Sequence, residues 1–273
     1  MAEQADAIVV SHTKSGRTWL RVMLSHLYHL RYGVPAADLL KFDNLHRLNP
    51  EIPRIYFTRD TQTPTFSLSG AAVPLSDQKR VLFLVRDPRD VAVSFCFHVC
   101  NRASDRELAR KNIPPEAKAL PLYDFVTSES LGVPRIIAHM NRWYREMPRF
   151  AASQWIKYEA MRADPEATLK RAIAFLDREF EPELIRKAVE FASFESLRRK
   201  EADGFFGSGR LKPADAGDPN SFKVRRGRIG GYRDYFEPAQ IAQLDALVRE
   251  TLLPEFGYGT PAQSDRRRSK QAG

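Results

Sequence analysis

The feature that constrains this chain most is a repeated alternation of short apolar runs with longer amphipathic stretches. The apolar runs predict buried strands at residues 7–10 (AIVV), 55–58 (IYFT), 81–85 (VLFLV) and 155–158 (WIKY), because β-branched and aromatic residues favour strands. The stretches between them predict helices at 18–31, 88–100, 134–146, 165–176 behind an Asp164 cap, 183–191 and 238–253. This alternation predicts an α/β fold with a central parallel sheet flanked by helices on both faces.

Length and composition fit one folded domain over residues 1–260, followed by a basic, disordered tail at 261–273. The chain has 273 residues, 43% of them apolar, which is enough for a large core. No run of about 18 apolar residues occurs, so we expect no transmembrane segment. The start lacks the features of a signal peptide, so we expect a cytoplasmic protein. Cys96 and Cys100 suit neither a disulfide framework nor a zinc site and are interpreted as packed thiols.

The charge balance points to a polyanionic partner. Lys and Arg number 43 against 34 Asp and Glu, a formal net charge of +9. Nucleic acid, an acidic membrane surface and a phosphorylated small molecule would all fit such an excess. Part of it lies in the tail, at Arg266, Arg267, Arg268 and Lys270.

The first predicted strand runs directly into a loop and a helix, the arrangement that binds phosphate at a helix N-terminus. The loop reads Ser11-His12-Thr13-Lys14-Ser15-Gly16-Arg17-Thr18-Trp19. Lys14 and the hydroxyls of Ser15 and Thr18 would add charge and hydrogen-bond donors to the backbone N–H groups. The loop is not a Walker A motif, because Lys14 precedes the only glycine.

Two further basic elements follow along the chain. Arg86-Asp87-Pro88-Arg89-Asp90-Val91-Ala92-Val93-Ser94 starts at the end of the third predicted strand, where α/β sheets place ligands. Residues 222–233 (FKVRRGRIGGYR) carry five Lys or Arg. Taken alone, the second element is also a strand-to-helix turn, and the third is also a nucleic-acid patch.

In this order the three elements resemble those of the sulfotransferases that use 3′-phosphoadenosine 5′-phosphosulfate (PAPS). Lys14 to Trp19 resembles the family's K-S-G-T-T-W loop, which holds the 5′-phosphosulfate. The Arg86 element resembles R-[ND]-P-x-D-x-x-V-S, whose Arg and Ser, here Arg86 and Ser94, grip the 3′-phosphate. Arg225, Arg226 and Gly227 stand in the R-K-G positions that close over the same phosphate, although Gly231 and Tyr232 depart from that pattern.

The resemblance implies a P-loop-like fold and transfer of a sulfuryl group from PAPS, with adenosine 3′,5′-bisphosphate (PAP) as product and no metal. Tyr158-Glu159 is similar to the family's Y-E-D pair, whose Tyr contacts the adenine, and Ser193-Phe194 to its T-S-F segment. By analogy Trp19 and Phe194 would sandwich the base. Arg17 replaces a Thr of the cytosolic animal enzymes and would either contact an anion or reach solvent.

The catalytic assignment is incomplete. Lys14 is the expected electrophilic group at the bridging oxygen. Where the family has a catalytic His in a K-T-H segment, this chain reads Phe57-Thr58-Arg59-Asp60, and an Arg is not a base at neutral pH. Asp60 next to Arg59 is one candidate for the base, and His12 and His98 are others.

Several readings stay open. A nucleotide kinase, a basic protein that binds nucleic acid or acidic polysaccharide, and a degenerate sulfotransferase that binds PAP without turnover compete with the enzyme, although no nucleic-acid partner is expected. The acceptor, a small molecule, saccharide or lipid bearing a hydroxyl or amine, is not identified. Segments 101–122 and 204–221 are predicted to be surface excursions that shape its pocket. The third element also resembles the region where some relatives form homodimers.

Overall fold

A parallel sheet of four strands lies at the centre of the protein. The computed structural model describes residues 4–40, 44–58, 65–67, 72–74, 76–176 and 178–259. The strands in these residues are β1 (Ala7–Ser11), β2 (Ile55–Thr58), β3 (Thr65–Ser67), β4 (Ala72–Pro74), β5 (Arg80–Val85) and β6 (Ala152–Lys157). The sheet has the order β2-β1-β5-β6, all parallel, while β3 and β4 form a separate antiparallel pair.

The strand β1 shows why the sheet must be covered on both sides. Its alternate residues Ala7 and Val9 pack into one hydrophobic cluster, whereas Ile8 and Val10 pack into another. Side chains of a strand alternate between the two faces, so an unbroken apolar run needs a core on each. The sequence AIVV therefore requires a central position in the sheet.

Helices fill the two outer layers. They are α1 (Arg17–Tyr32), α2 (Pro88–Asn101), α3 (Asp105–Arg110), α4 (Leu122–Thr127), α5 (Val133–Glu146), α6 (Tyr158–Ala163), α7 (Pro165–Phe175), α8 (Pro182–Phe191), α9 (Phe194–Ala202) and α10 (Pro238–Thr251). The helices α1, α7 and α8 pack against one face, and α2, α5 and α10 against the other. The predicted α/β fold is confirmed.

The predicted strands and helices are present, and their ends differ by at most two residues, except that β6 begins three residues before the predicted start. The Asp164 cap is confirmed, because its carboxylate accepts a hydrogen bond from the Ala167 N–H. Tyr158 is a correction, since it begins α6 and does not end a strand. Segment 101–122 is not a plain surface excursion, because it contains α3 and a 3₁₀ turn at Pro115–Lys118.

Buried charge joins α2 to the C-terminal part of the fold. Asp87 caps α2 by accepting the Arg89 N–H, and its carboxylate also binds the Arg89 guanidinium. The same guanidinium forms an ion pair with Asp245 of α10 and donates to the Tyr258 carbonyl at 3.0 Å. This network fixes the direction in which the residues after β5 enter the helix.

The thiols are packed as predicted. Cys96 is buried in a small cluster beside α3 and α4, 3.8 Å from the Cys100 sulfur, and both are free. Burial raises the pKa of Cys96.

In the described part of the chain no helix has the length and apolar character needed to cross a membrane. The tail at 261–273 lies outside the described residues and stays a prediction.

Gly132 provides a test of the packing between α4 and α5. A Cβ at this position would lie 2.1 Å from the Val126 carbonyl oxygen, which is backbone and has no room to move away. We expect Gly132→Ala to lower the free energy of unfolding by about 1–3 kcal/mol, measured by urea denaturation. Gly209→Ala is the control, because a Cβ there meets no atom within 4 Å. Equal stabilities of the two variants would contradict this packing.

Candidate functional site

A cavity of about 680 Å³ opens at the carboxyl edge of the sheet. This is the edge at which parallel α/β sheets bind ligands. Among the described residues that line it, twelve are Lys or Arg and two are Asp or Glu. The cations are Lys14, Arg17, Arg21, Arg86, Arg102, Arg110, Arg162, Arg210, Lys223, Arg225, Arg226 and Arg228. Such a surface suits a ligand with several negative charges.

The structure brings the predicted binding residues to this one cavity, with Ser15 as the exception. Those that line it are Lys14, Gly16, Arg17, Thr18, Trp19, Arg86, Ser94, Tyr158, Phe194, Arg225, Arg226 and Gly227. Ser15 is buried and is not among the lining residues, so its hydroxyl does not face the ligand space. Arg59 and Asp60 lie outside the described residues.

The loop between β1 and α1 needs its glycine for two reasons. Gly16 has φ +97°, in the left-handed region, and a Cβ there would lie 2.6 Å from the Tyr158 ring. Lys14 also has a positive φ, of 76°. The loop thus turns sharply into α1, whose first N–H groups have no partners within the helix and favour an anion.

Lys14 is held among other cations. Desolvation and the charge of Arg102 lower its pKa to about 7; Glu201 opposes the shift, and Arg86 and Arg225 add to it. An ammonium with this pKa is only partly protonated at neutral pH. A bound anion would restore the full charge, because an opposite charge favours the protonated form.

Arg17 does not extend to solvent. Its guanidinium donates to the Ser11 hydroxyl at 3.1 Å and to the carbonyl oxygens of Ser11 and Thr58. It therefore links the ends of β1 and β2. The alternative that Arg17 reaches solvent is wrong, and its role at an anion stays a prediction.

Arg86 leaves β5 and reaches across the cavity. Its guanidinium lies 4.3 Å from the centre of the Tyr158 ring and donates to the carbonyls of Lys14 at 3.4 Å and Arg228 at 3.2 Å. Its Nε is buried without a hydrogen-bond partner. An orphaned buried donor of this kind is costly and marks a place for a ligand acceptor. Ser94 faces the same space from α2.

The segment at residues 222–237, called the C-terminal loop, forms another wall of the cavity. The Arg225 guanidinium lies 3.9 Å from the centre of the Phe97 ring and donates to the Tyr235 hydroxyl at 2.5 Å. Arg226 donates to the same hydroxyl at 3.0 Å and pairs with Asp234 at 2.5 Å. Gly227 has φ +60°, and a Cβ there would lie 2.8 Å from the Phe194 ring. Arg225 and Arg226 are thus oriented by a tyrosine before any ligand binds.

Two buried carboxylates fasten this loop, and sequence analysis assigned neither a role. Asp90 accepts the N–H groups of Gly230 at 2.9 Å and Tyr232 at 3.0 Å. Glu201 accepts those of Lys223 at 2.7 Å and Val224 at 2.8 Å and pairs with Arg102 at 3.0 Å. Asp90 lies in the sequence element that begins at Arg86, which was a reason to single it out. Glu201 is one of many acidic residues on helices, and no sequence pattern distinguishes it.

Aromatic side chains surround the remaining part of the cavity. The Trp19 Nε1 donates to the Ala192 carbonyl at 2.8 Å, and its ring meets Tyr158 edge-on at 5.9 Å. Arg162 lies 5.7 Å from the Trp19 ring centre and 6.0 Å from that of Phe194. A flat cation therefore lies near both rings that were expected to sandwich the base, and sequence analysis did not anticipate it.

The two histidine candidates differ in their surroundings. Burial lowers the pKa of His12 to about 4, and its ring packs against Phe95 and His139. Burial likewise lowers the pKa of His98 to about 4. The His98 Nε2 lies 3.2 Å from a Glu107 carboxylate oxygen, so His98 has a carboxylate partner and His12 has none among the described contacts.

The sheet, the β1–α1 loop and the cation-lined cavity define a P-loop-like α/β protein with a site for a polyanionic ligand. The sequence profile of the sulfotransferase domain matches residues 4–254. The chain therefore belongs to the sulfotransferase domain family, and the predicted enzyme class is confirmed.

Similar proteins agree with that assignment. Cytosolic sulfotransferase 16 of Arabidopsis thaliana is 27% identical over 270 residues, covering 91% of this chain and 76% of that protein. The 3-alpha-hydroxysteroid sulfotransferase of Cavia porcellus is 23% identical, covering 92% and 85%. The structure of mouse sulfotransferase SULT7A1 complexed with PAP is similar, with a TM-score of 0.61 and 21% identity over 93% of this chain and 86% of that one. A structure of retinol dehydratase with retinol and PAP has the same TM-score, 0.61, at 15% identity over 91% and 81%.

The low pKa of Lys14 is open to direct measurement. After reductive methylation with a carbon-13 label, the Lys14 resonance in the ligand-free protein should titrate with a midpoint near 7, because burial and neighbouring cations disfavour its charge. Lys14→Arg lacks this resonance and provides the assignment. A midpoint near 10 would show that the crowding of charge around Lys14 is absent.

Proposed function

We propose that this sulfotransferase uses PAPS and transfers its sulfuryl group to a hydroxyl or amine of a small-molecule acceptor. One observation carries the proposal: Lys14 of the β1–α1 loop, Arg86 after β5, and Arg225 and Arg226 line one cavity together with the rings of Trp19, Tyr158 and Phe194. PAPS carries two separate anionic groups on one ribose, the phosphosulfate at the 5′ position and a phosphate at the 3′ position. The residues therefore match the ligand in charge and in order.

Each part of the site has a defined task in this proposal. The β1–α1 loop with Lys14 and Thr18 would hold the 5′-phosphosulfate. Arg86 would take the 3′-phosphate together with Ser94 and residues 225–227, and its orphaned Nε supports this placement. The adenine would enter between the rings of Trp19, Tyr158 and Phe194, after Arg162 moves aside.

Catalysis then depends on charge at the leaving oxygen. PAPS supplies an activated sulfuryl group whose bond to the 5′-phosphate oxygen breaks as a new bond forms to the acceptor oxygen or nitrogen. Lys14 stabilises the charge that develops on the leaving phosphate, and positioning contributes most of the remainder. The acceptor gives up one proton, so a base must lie near Lys14.

His98 is our choice for that base. It lines the cavity, is close enough to Lys14 for their charges to interact, and stays neutral above pH 4. The His98 Nε2 lies 3.2 Å from a Glu107 carboxylate oxygen and 3.4 Å from the Lys111 ammonium. In the tautomer that donates Nε2–H to Glu107, Nδ1 accepts the proton, and Glu107 stabilises the imidazolium that results. Asp60 and His12 remain the alternatives.

The competing binding function fits the structure less well. Several cations of segment 223–233 line the cavity, and Arg226 and Arg228 pair with Asp234. An open surface for a polymer would need these groups outward and unpaired. The name of the Arabidopsis relatives, cytosolic sulfotransferases, supports our proposal of a cytoplasmic enzyme.

Labelled PAPS tests the two cationic groups separately. We expect Lys14→Met to reduce transfer to a phenol panel roughly 100-fold or more, because it removes charge stabilisation in the transition state. Arg86→Met should weaken PAP binding roughly 30-fold or more in calorimetry, since it removes a buried charge pair. Arg249→Met, an exposed change on α10, is the control. Wild-type PAP affinity in Arg86→Met would contradict the role of Arg86 at the 3′-phosphate. PAP binding by the wild-type protein without turnover of any acceptor would contradict the transferase activity.

The choice of base has its own test. His98→Asn should lower kcat roughly 100-fold or more and leave PAP affinity unchanged, because the base acts on the acceptor alone. Titration of His98 should not change the wild-type rate between pH 6 and 8, since a base is active above its pKa and the pKa of His98 is about 4. If Asp60→Asn abolishes transfer while His98→Asn retains it, Asp60 is the base.

A further inference from the structure

One side of the cavity carries charge that the proposed nucleotide does not use. Ser94 and His98 lie one turn apart on α2, Arg102 follows the last residue of that helix, and both His98 and Arg102 interact electrostatically with Lys14. His98 is the proposed base, so the acceptor must lie on this side of Lys14. The described residues there, called the acceptor face, are His98, Arg102, Glu107, Arg110, Arg210, Leu211 and Lys223.

The acceptor face has more positive than negative charge. Its four cations face one carboxylate, Glu107, which is already paired with Lys111 at 2.6 Å. Behind the face, Glu201 compensates Arg102 at 3.0 Å. Arg110 and Lys223 both line the cavity, and neither forms an ion pair with a carboxylate in the described part of the chain.

Lys223 shows most clearly how closely the positive charges of this region lie together. Its ammonium donates to the Arg210 carbonyl at 3.0 Å and lies among the charges of Lys14, Arg102 and Arg17. Burial and these cations hold the pKa of Lys223 well below its usual range. A carbonyl is a weak partner for an ammonium that lies among other cations, and an anion would be a far better one.

At the rim of the face, Arg110 is exposed at the end of α3. It forms no hydrogen bond or ion pair within the described residues, while still lining the cavity. An unpaired guanidinium at the entrance and a desolvated ammonium inside form a path of positive potential toward Lys14. Such a path attracts and orients negatively charged molecules.

We propose that the acceptor carries an anionic group besides its nucleophile, and that Lys223 and Arg110 bind this group while the nucleophile meets Lys14 and His98. The inference rests on the proposed function and names the class of acceptor: an acidic hydroxyl or amine compound with a carboxylate, sulfate or phosphate. Phe57, Leu40 and Leu211 add an apolar surface for the part between the two groups.

The test uses three phenols of similar size on the PAP-saturated full chain. Calorimetry compares 4-hydroxyphenylacetate, 4-hydroxybenzenesulfonate and uncharged 4-ethylphenol. We expect both anions to bind at least roughly tenfold more tightly than 4-ethylphenol, and this preference to shrink as salt is raised from about 0.05 to 0.3 M. Tighter binding of 4-hydroxyphenylacetate indicates a site for a planar carboxylate, and tighter binding of 4-hydroxybenzenesulfonate indicates a site for a tetrahedral anion.

Variants then locate the preference. Lys223→Met and Arg110→Met should each reduce it at least roughly threefold without changing 4-ethylphenol affinity. Arg106→Met is the matched control, because Arg106 is exposed on the same helix and does not line the cavity. Arg110 is exposed, so its replacement does not threaten the fold.

The outcomes separate this inference from the proposed function. If PAP itself does not bind, the proposed function is wrong. If PAP binds and 4-ethylphenol binds as tightly as the anions, or none of the three phenols binds, the acidic acceptor is wrong while the nucleotide site stands. A preference that survives in both Lys223→Met and Arg110→Met also overturns the assignment.

Discussion

Two buried carboxylates, Asp90 and Glu201, make the cation-rich cavity possible. Each binds backbone N–H groups of the C-terminal loop and also contacts an arginine, Arg86 and Arg102 respectively. Buried cations need compensation, which Asp90 supplies at the wall of the cavity and the fully buried Glu201 from behind it. Burial raises the pKa of Asp90, while its hydrogen bonds and Arg86 oppose that shift. The shape of the site and its charge therefore depend on the same two side chains.

Much of the fold followed from local pattern. The run AIVV could only be a central strand, and the Pro and Asp signals located the starts of α2 and α7 within a residue. Tyr158 was misplaced because WIKY continues an apolar run, although the chain turns into α6 at that residue. The short helix α3 and the β3–β4 pair were missed because elements of three to six residues carry too little periodicity.

Some residues of the candidate site were likewise predictable from the sequence, and others were not. Lys14 and Arg86 were predictable because each follows the end of a strand, and a parallel sheet brings such ends to one edge. Arg225 was predictable only because its segment resembles a family motif. Arg102 and Arg162 were not predictable, since their position depends on how α2 and α6 pack. Ser15, whose hydroxyl the motif offered as a donor, is buried and does not line the cavity.

In the proposed function one cavity recognises two separated anionic groups of one nucleotide. The most direct test is the ratio of the dissociation constants of PAP and adenosine 5′-monophosphate, measured by calorimetry on the full chain at one ionic strength. Arg86, Arg225 and Arg226 should make PAP bind roughly 100-fold more tightly, because they add charge-assisted hydrogen bonds to the 3′-phosphate. Equal affinities for the two nucleotides would contradict the account.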